Sequence, residues 1–192
     1  MIWVLVPLAY LLGTFPSAIV VARSKGVDIT TVGSGNPGAS NIARTLGTRW
    51  GVVVFVLDGL KGAIPSAIGV ATGDRPAAHA LVAAAVLGHM YPATRRFRGG
   101  KGVATMAGAM AALHPVVFAV LTVVWFAVRS ITKKASLASI AIALGLPVGV
   151  GLSGRPGWEV VAGVVLAGLV LVRHSDNIRR LRHGDELSAS RP

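Results

Sequence analysis

The 192-residue chain contains no cysteine, so it forms no disulfide and offers no thiolate as nucleophile or metal ligand. Acidic residues are scarce too, seven Asp and Glu against 19 Lys and Arg. Acidic clusters are missing, which disfavours a carboxylate metal site and metal-dependent phosphoryl transfer. Only 14% of residues are charged, where a soluble domain carries about 25%. Aromatic residues are few and do not alternate with the basic ones. The net charge of +12 therefore does not indicate nucleic-acid binding. No basic segment precedes the first apolar run and no convincing small-residue cleavage site follows it, so that run is expected to be a retained span, not a signal peptide.

What fills the space is apolar sequence, 53% of the chain. A helix needs about 20 apolar residues to cross hydrocarbon, fewer where the bilayer thins. Candidate spans are 2–22, 51–72, 76–92, 102–113, 115–128, 136–152 and 157–173. The run 102–128 is split because His114-Pro115 interrupts it; proline lacks the helical donor and restricts its predecessor. The expected fold is an all-α polytopic membrane protein with seven transmembrane helices, some of them short, or five or six if a short segment is re-entrant. It is expected to be one domain over 1–192, ending in a solvated tail at 184–192.

Charge orients these spans. With the N-terminus outside, segments 23–50, 93–101, 129–135 and the tail from Arg173 face the cytoplasm. They hold sixteen of the 19 basic residues; only Arg75 and Arg155 fall in outer loops, and Lys61 lies within a span. The positive-inside rule then places the N-terminus out and the C-terminus in.

The unusual polar segments gather on that same side. Phe97-Arg98-Gly99-Gly100-Lys101-Gly102 follows Arg95 and Arg96 and opens an apolar run. Glycines let backbone N–H groups approach an anion, a following helix points its positive end there, and Lys101 adds a full charge. A Walker A loop is excluded, because Arg95 and Gly102 stand where glycine and Ser/Thr are required. The loop Gly33-Ser34-Gly35-Asn36-Pro37-Gly38 satisfies G-x-G-x-x-G literally, yet no βαβ unit fits between two membrane spans. It instead presents Ser34, Asn36 and Asn41 as hydrogen-bonding groups and Arg44 as a bidentate phosphate ligand. Asp58 and Lys61, spaced i, i+3 inside a span, read as a structural ion pair, with a role in a polar cleft, where Lys61 lends charge to an anion site, as the lesser alternative. His89 precedes the glycine stretch, Ser136 and Ser139 open a span, and His174 and Asn177 share a helix face in the basic tail. That amphipathic tail suits anionic lipid.

In order along the chain, S-G-N-P-G-A-S-N-I-A-R (34–44), D-G-L-K-G (58–62), G-H (88–89), F-R-G-G-K-G-V-A-T (97–105), S-L-A-S (136–139) and H-S-D-N-I-R-R-L (174–181) resemble one family. It is the bacterial integral-membrane glycerol-3-phosphate acyltransferases that use acyl phosphate, the PlsY family, and the resemblance runs nearly the whole length. It implies transfer of an acyl chain from acyl phosphate to the 1-hydroxyl of glycerol 3-phosphate, giving lysophosphatidic acid and phosphate in phospholipid synthesis. It implies substrate contacts from Ser34, Asn36, Asn41, Arg44, His89, Gly99, Gly100, Lys101, Gly102, Ser136, Ser139, His174 and Asn177, with Lys101, His174 and Ser139 as the catalytic group. No cofactor and no metal are expected, the partners being the two substrates and membrane lipid. A monomer in the bacterial inner membrane, with its site on the cytoplasmic side, completes the expectation.

The chemistry agrees. Both substrates carry phosphate, matching the surplus of cations, and acyl phosphate is activated enough to leave without a strong general acid. The His-x₄-Asp pair of other glycerolipid acyltransferases is absent. Three proton acceptors stay open: the substrate phosphate, His174 and His89. The alternative is a small-anion transporter, which calls for polar groups along the membrane depth and on both faces, whereas these lie on one side. The charge asymmetry predicts that a cysteine at Thr72 is labelled from outside by an impermeant thiol reagent and one at Ser190 is not; the reverse pattern would invert the topology.

Overall fold

The computed structural model describes residues 2–189. Its contacts cluster into two compact units, one up to Leu113 and one from His114, so the division of a chain expected to be a single domain falls at the His114-Pro115 break. All regular structure among the described residues is helical.

In the first unit, a 3-10 turn at Ile2–Leu5 leads into α1 (Val6–Gly13) and α2 (Ser17–Arg23), followed by α3 (Ala39–Leu46), α4 (Thr48–Ala71), α5 (Arg75–Met90) and α6 (Val103–Leu113). The first apolar run is thus broken at Thr14–Pro16, since Pro16 donates no backbone hydrogen bond. Helix α3 lies inside what reads in the sequence as a loop. Its Ile42 is buried against Ala18, Val21, Ala22, Ile29 and Val54, and a single buried apolar face suffices to hold a two-turn helix. Helices α4 and α6 approach backbone to backbone. A Cβ on Gly62 would overlap the Thr105 carbonyl, one on Gly108 the Gly59 carbonyl, and Ser66 Oγ donates to the Ala109 carbonyl at 2.9 Å. Small residues and interhelical hydrogen bonds are how helices pack where lipid removes the hydrophobic drive between them.

The second unit holds α7 (Pro115–Thr132), α8 (Ala135–Leu152), α9 (Gly157–Arg173) and α10 (Ser175–His183). Pro115 sits at the first turn of α7, where its missing donor costs nothing. The buried His114 Nε2 lies 3.4 Å from Glu159 Oε2, joining the start of α7 to the first turn of α9. The chain bends by 59° between α9 and α10.

Each of the seven apolar stretches is helical, but they differ in reach. Ile2–Arg23, Thr48–Ala71, Pro115–Thr132 and Ala135–Leu152 are long and apolar enough to cross a membrane, and a fifth follows if α9 and α10 count as one bent span. Helices α5 and α6 have 16 and 11 residues. The expected solvated tail requires correction. Over 184–189 the chain folds back: Asp185 N–H donates to the Arg180 carbonyl at 2.9 Å and Ala189 N–H to the Lys133 carbonyl at 2.7 Å. Glu186 is buried. The reason is a carboxylate with cationic and amide donors within reach, which the composition of the tail does not reveal. Residues 190–192, the remainder of that tail, lie outside the described residues.

Candidate functional site

In the first unit the glycine stretch is a strap laid beside the end of α5. The Gly99 N–H donates to the Met90 carbonyl at 3.2 Å and the Gly100 N–H to the His89 carbonyl at 3.1 Å. These two amides, expected to face an anion, are therefore engaged by protein. Their glycine character has another cause: a Cβ on Gly99 would overlap the His89 carbonyl, and one on Gly100 the His89 ring. Gly102 has φ +79° and packs on Met90, which only glycine tolerates cheaply. The strap thereby delivers a half-buried Lys101 to the entrance of α6, where first-turn N–H groups have no intrahelical acceptor. Tyr10 of α1 fixes the approach, its hydroxyl donating to the Tyr91 carbonyl at 2.8 Å and accepting from Ala93 N–H at 3.0 Å. Arg96 and Phe97, just before the glycines, both adopt positive φ, 50° and 61°, a conformation held only by its surroundings.

The other loop of this unit is organised by Asn41. Its Nδ2 donates to the carbonyls of Ile29 at 3.2 Å and Val32 at 3.0 Å, and its Oδ1 accepts from Ser34 N–H at 3.0 Å. Asn41 is 1% exposed. These bonds shape the loop. Arg44 lies one turn on, its Nη1 3.4 Å from Asn41 Oδ1, while Ser34 and Asn36 are half-buried in the loop that Asn41 closes. The Asn36 N–H is 3.4 Å from Ser34 Oγ.

Asp58 and Lys61 form the expected pair at 2.6 Å, both buried; Lys61 Nζ also donates to the Phe15 carbonyl at the α1–α2 break. His89 Nδ1 stands 3.7 Å from the same Asp58 oxygen. An open cleft is walled by Ser17, Asp58, Lys61, His89, Arg95 and Gly100, among others. Ser17 Oγ is buried there with no hydrogen-bond partner among the described residues. The sequence reading missed Ser17; Pro16 beside it, interrupting an apolar run, was the available signal. At the loop surface, burial and then the Arg23 charge pull Arg95 below its ordinary value, with Asp28 opposing. An arginine so placed gains from an added anion.

In the second unit, Ser136, Ser139, His174 and Asn177 are all buried. Ser139 Oγ donates to the Ala135 carbonyl at 2.9 Å and accepts from Trp125 Nε1 at 3.3 Å, a back-bonding role within the helix. Ser136 Oγ meets no hydrogen-bond criterion. His174 occupies the bend between α9 and α10, its Nδ1 2.8 Å from the Val170 carbonyl. Since a carbonyl only accepts, Nδ1 carries the proton and Nε2 is the acceptor nitrogen of the neutral ring. Asn177 Nδ2 donates to Glu186 Oε1 at 2.7 Å and Arg180 Nε to Glu186 Oε2 at 2.8 Å. Glu186 is a second residue the sequence reading missed, hidden by its place in a polar tail.

The sequence pattern of the glycerol-3-phosphate acyltransferase family matches residues 3–184. A glycerol-3-phosphate acyltransferase of Aquifex aeolicus is 42% identical over 184 residues, 95% of this chain and 96% of its own. One of Geotalea daltonii is 42% identical over 93% of this chain and 92% of its own. The crystal structure of PlsY (YgiH), an integral membrane glycerol 3-phosphate acyltransferase in its glycerol 3-phosphate form, superposes with a TM-score of 0.94 at 40% identity. It covers 97% of this chain and 94% of that one. The lysophosphatidic acid form of PlsY gives a TM-score of 0.91.

The Asp58–Lys61 pair generates a stability prediction. Asp58→Ala leaves a buried ammonium and should cost about 3 kcal/mol, whereas Asp58→Ala with Lys61→Met should recover much of it. Thermal unfolding of detergent-purified protein measures both; equal losses would mean that the pair does not govern stability.

Proposed function

The chain belongs to the glycerol-3-phosphate acyltransferase family, and from that premise we propose that it transfers an acyl chain from acyl phosphate to the 1-hydroxyl of sn-glycerol 3-phosphate. It is an integral membrane acyltransferase with several apolar helices, and phospholipid synthesis is its setting. Family membership displaces the transporter alternative. One observation carries the finer reading: a strap in which glycine is sterically required places Lys101 at the N-terminal end of α6.

In this reading the glycerol hydroxyl attacks the acyl carbonyl carbon, the bond from that carbon to the phosphate oxygen breaks, and inorganic phosphate leaves with the electron pair. Lys101, Gly102 and the first turn of α6 stabilise the charge that grows on the acyl phosphate, donors aimed at developing charge being the largest single aid to such a step. Gly99 and Gly100 shape the strap. Arg44, with Ser34 and Asn36, holds a phosphate through its planar fork, and Asn41 supports their loop. In the second unit, Ser136 and Asn177 contact substrate and Ser139 supports the helix start. His174 Nε2 accepts the hydroxyl proton, its tautomer fixed by the Val170 carbonyl; His89 lends support to the strap. We further assign seven crossings, the shorter helices included, with the site on the cytoplasmic face of a bacterial inner membrane and the protein acting as a monomer.

Purified protein in detergent should release phosphate from acyl phosphate only when glycerol 3-phosphate is added, without acyl-carrier protein, coenzyme A, nucleotide or divalent cation. Activity abolished by a chelator and restored by magnesium would contradict the mechanism, which has no metal step.

A sharper expectation concerns the two cations. Lys101→Ala should lower turnover roughly 30- to 1,000-fold, the worth of one charge-assisted contact to a transition state. Arg44→Lys should recover little, because it keeps charge but loses the fork. Rates are to be compared on preparations of matched monodispersity and unfolding midpoint; near-normal turnover by well-folded Lys101→Ala would remove the centre of the mechanism.

A further inference from the structure

Three donors of the first unit line one cleft without an acceptor to match them. Ser17, the first residue of α2, is 1% exposed, and its Oγ has no hydrogen-bond partner among the described residues. Lys61 is 3% exposed. Two of its three ammonium protons go to the Phe15 carbonyl and to Asp58 Oδ1. The third meets no hydrogen-bond acceptor among the described residues, the Phe15 ring centroid lying 5.8 Å from Nζ. The guanidinium of the half-buried Arg95 feels the charges of Arg23 and Asp28 and makes no side-chain hydrogen bond among the described residues. Asp58, His89 and Gly100 complete the polar part of the wall.

A single water would satisfy a lone buried hydroxyl, but it leaves the charge unanswered. Two cations, Lys61 and Arg95, stand in the wall against one carboxylate, Asp58, which is already bonded to Lys61. Open donors beside surplus positive charge match an anion that carries several oxygens. Phosphate has oxygens for a hydroxyl, an ammonium proton and a planar guanidinium fork together. Gly100 of the wall directly precedes Lys101, the residue set beside the bond that breaks when phosphate leaves the acyl group. We propose that this cleft is a third phosphate site, separate from the two substrate phosphates assigned to Arg44 and Lys101, and that it takes up the inorganic phosphate freed by acyl transfer.

The three donors divide the task. Ser17 and Lys61 are buried and held by helices α2 and α4, so they offer fixed points deep in the cleft. Arg95 belongs to the loop after α5 and is the most exposed of the three. An anion beside it offsets the repulsion from Arg23, which Asp28 alone opposes. The buried hydroxyl of Ser17 brings no folding benefit without a partner, since an unsatisfied polar group is costly to bury. Its presence there is explained by a ligand that it meets.

The origin of the phosphate rests on the acyl-transfer reading, whereas the site itself is tested by binding alone. Radiolabelled inorganic phosphate is dialysed to equilibrium against full-length protein in detergent, and against an Arg44→Ala, Lys101→Ala double variant of matched monodispersity. Binding should persist in the double variant. On either background Ser17→Ala and Arg95→Gln should each weaken the cleft site about tenfold, the loss of one charge-assisted hydrogen bond, and Arg95→Lys should weaken it less. Arg98→Gln, which removes an exposed arginine outside the cleft, should leave binding unchanged. Without phosphate, Ser17→Ala should unfold no earlier than wild type, so a loss of binding is not a loss of fold. In a single turnover, free phosphate should appear later than lysophosphatidic acid in wild type, and Ser17→Ala should shorten the lag. KM for both substrates should stay within about twofold in Ser17→Ala. Phosphate binding that vanishes in the Arg44, Lys101 double variant would overturn the proposal, as would binding indifferent to Ser17 and Arg95, which is attraction to a basic surface only. A raised KM for either substrate would make the cleft part of a substrate site and overturn it too. Simultaneous appearance of both products in wild type would overturn the uptake step. Failure of wild type to transfer acyl groups, with phosphate still held through Ser17 and Arg95, would overturn the proposed reaction and the origin of the phosphate but not the site.

Discussion

In hydrocarbon an unsatisfied backbone amide costs several kcal/mol, and irregular chain is tolerated there only where protein covers it. That constraint orders this structure. The apolar stretches are helices, and the break within the first of them, like two of the loops that flank them, is closed by specific bonds. The break at Thr14–Pro16 has its Phe15 carbonyl taken by Lys61 Nζ. The 29–34 loop gives the Ile29 and Val32 carbonyls and the Ser34 amide to Asn41. The glycine strap returns the Gly99 and Gly100 amides to the end of α5. These loops are not loose ends but segments in which several polar backbone groups are already matched within the protein.

Scarcity of acids sharpens the same logic. Six of the seven carboxylates have a structural partner: Asp28 with Thr30, Asp58 with Lys61, Asp74 capping α5 at Ala77, Glu159 with His114, Asp176 with Arg179, and Glu186 with Asn177 and Arg180. Segments 93–101 and 129–135 contain no acid at all, and 23–50 only Asp28, whose carboxyl is held low by the Thr30 side chain and amide. The positive charge of these segments thus has few acids beside it along the chain.

Much of this was legible in the sequence because apolar length and charge asymmetry are one-dimensional signals. The seven helical stretches, the break at His114-Pro115 and the i, i+3 pair of Asp58 and Lys61 needed no tertiary information. Helix α3 was hidden because a single residue, Ile42, supplies its fully buried apolar contact. The strap glycines stand out in the sequence as amides that could face an anion, and the structure adds a steric reason: two of them are excluded from bearing a side chain by the neighbouring backbone and the His89 ring. Asn41 and Arg44 look equivalent in a motif, yet one faces the core and the other its edge. Glu186 sits in a polar tail with nothing to mark it, since its partners lie at positions 177 and 180 on the preceding helix.

These arrangements share a form, in which one polar group holds another in place. Asn41 shapes the loop that carries Ser34, Tyr10 pins the approach to the strap, and the Val170 carbonyl sets the His174 tautomer. Placement errors of about 1 Å can cost 10²-fold in rate, so such supports matter as much to turnover as the groups they hold. A membrane enzyme has a particular need of them. Its contact groups lie on short loops and helix ends at the interface, where packing alone gives little rigidity and lipid supplies no hydrogen bonds. Buried amides and carboxylates bonded to backbone then replace the rigid core that a soluble enzyme would set beneath its site.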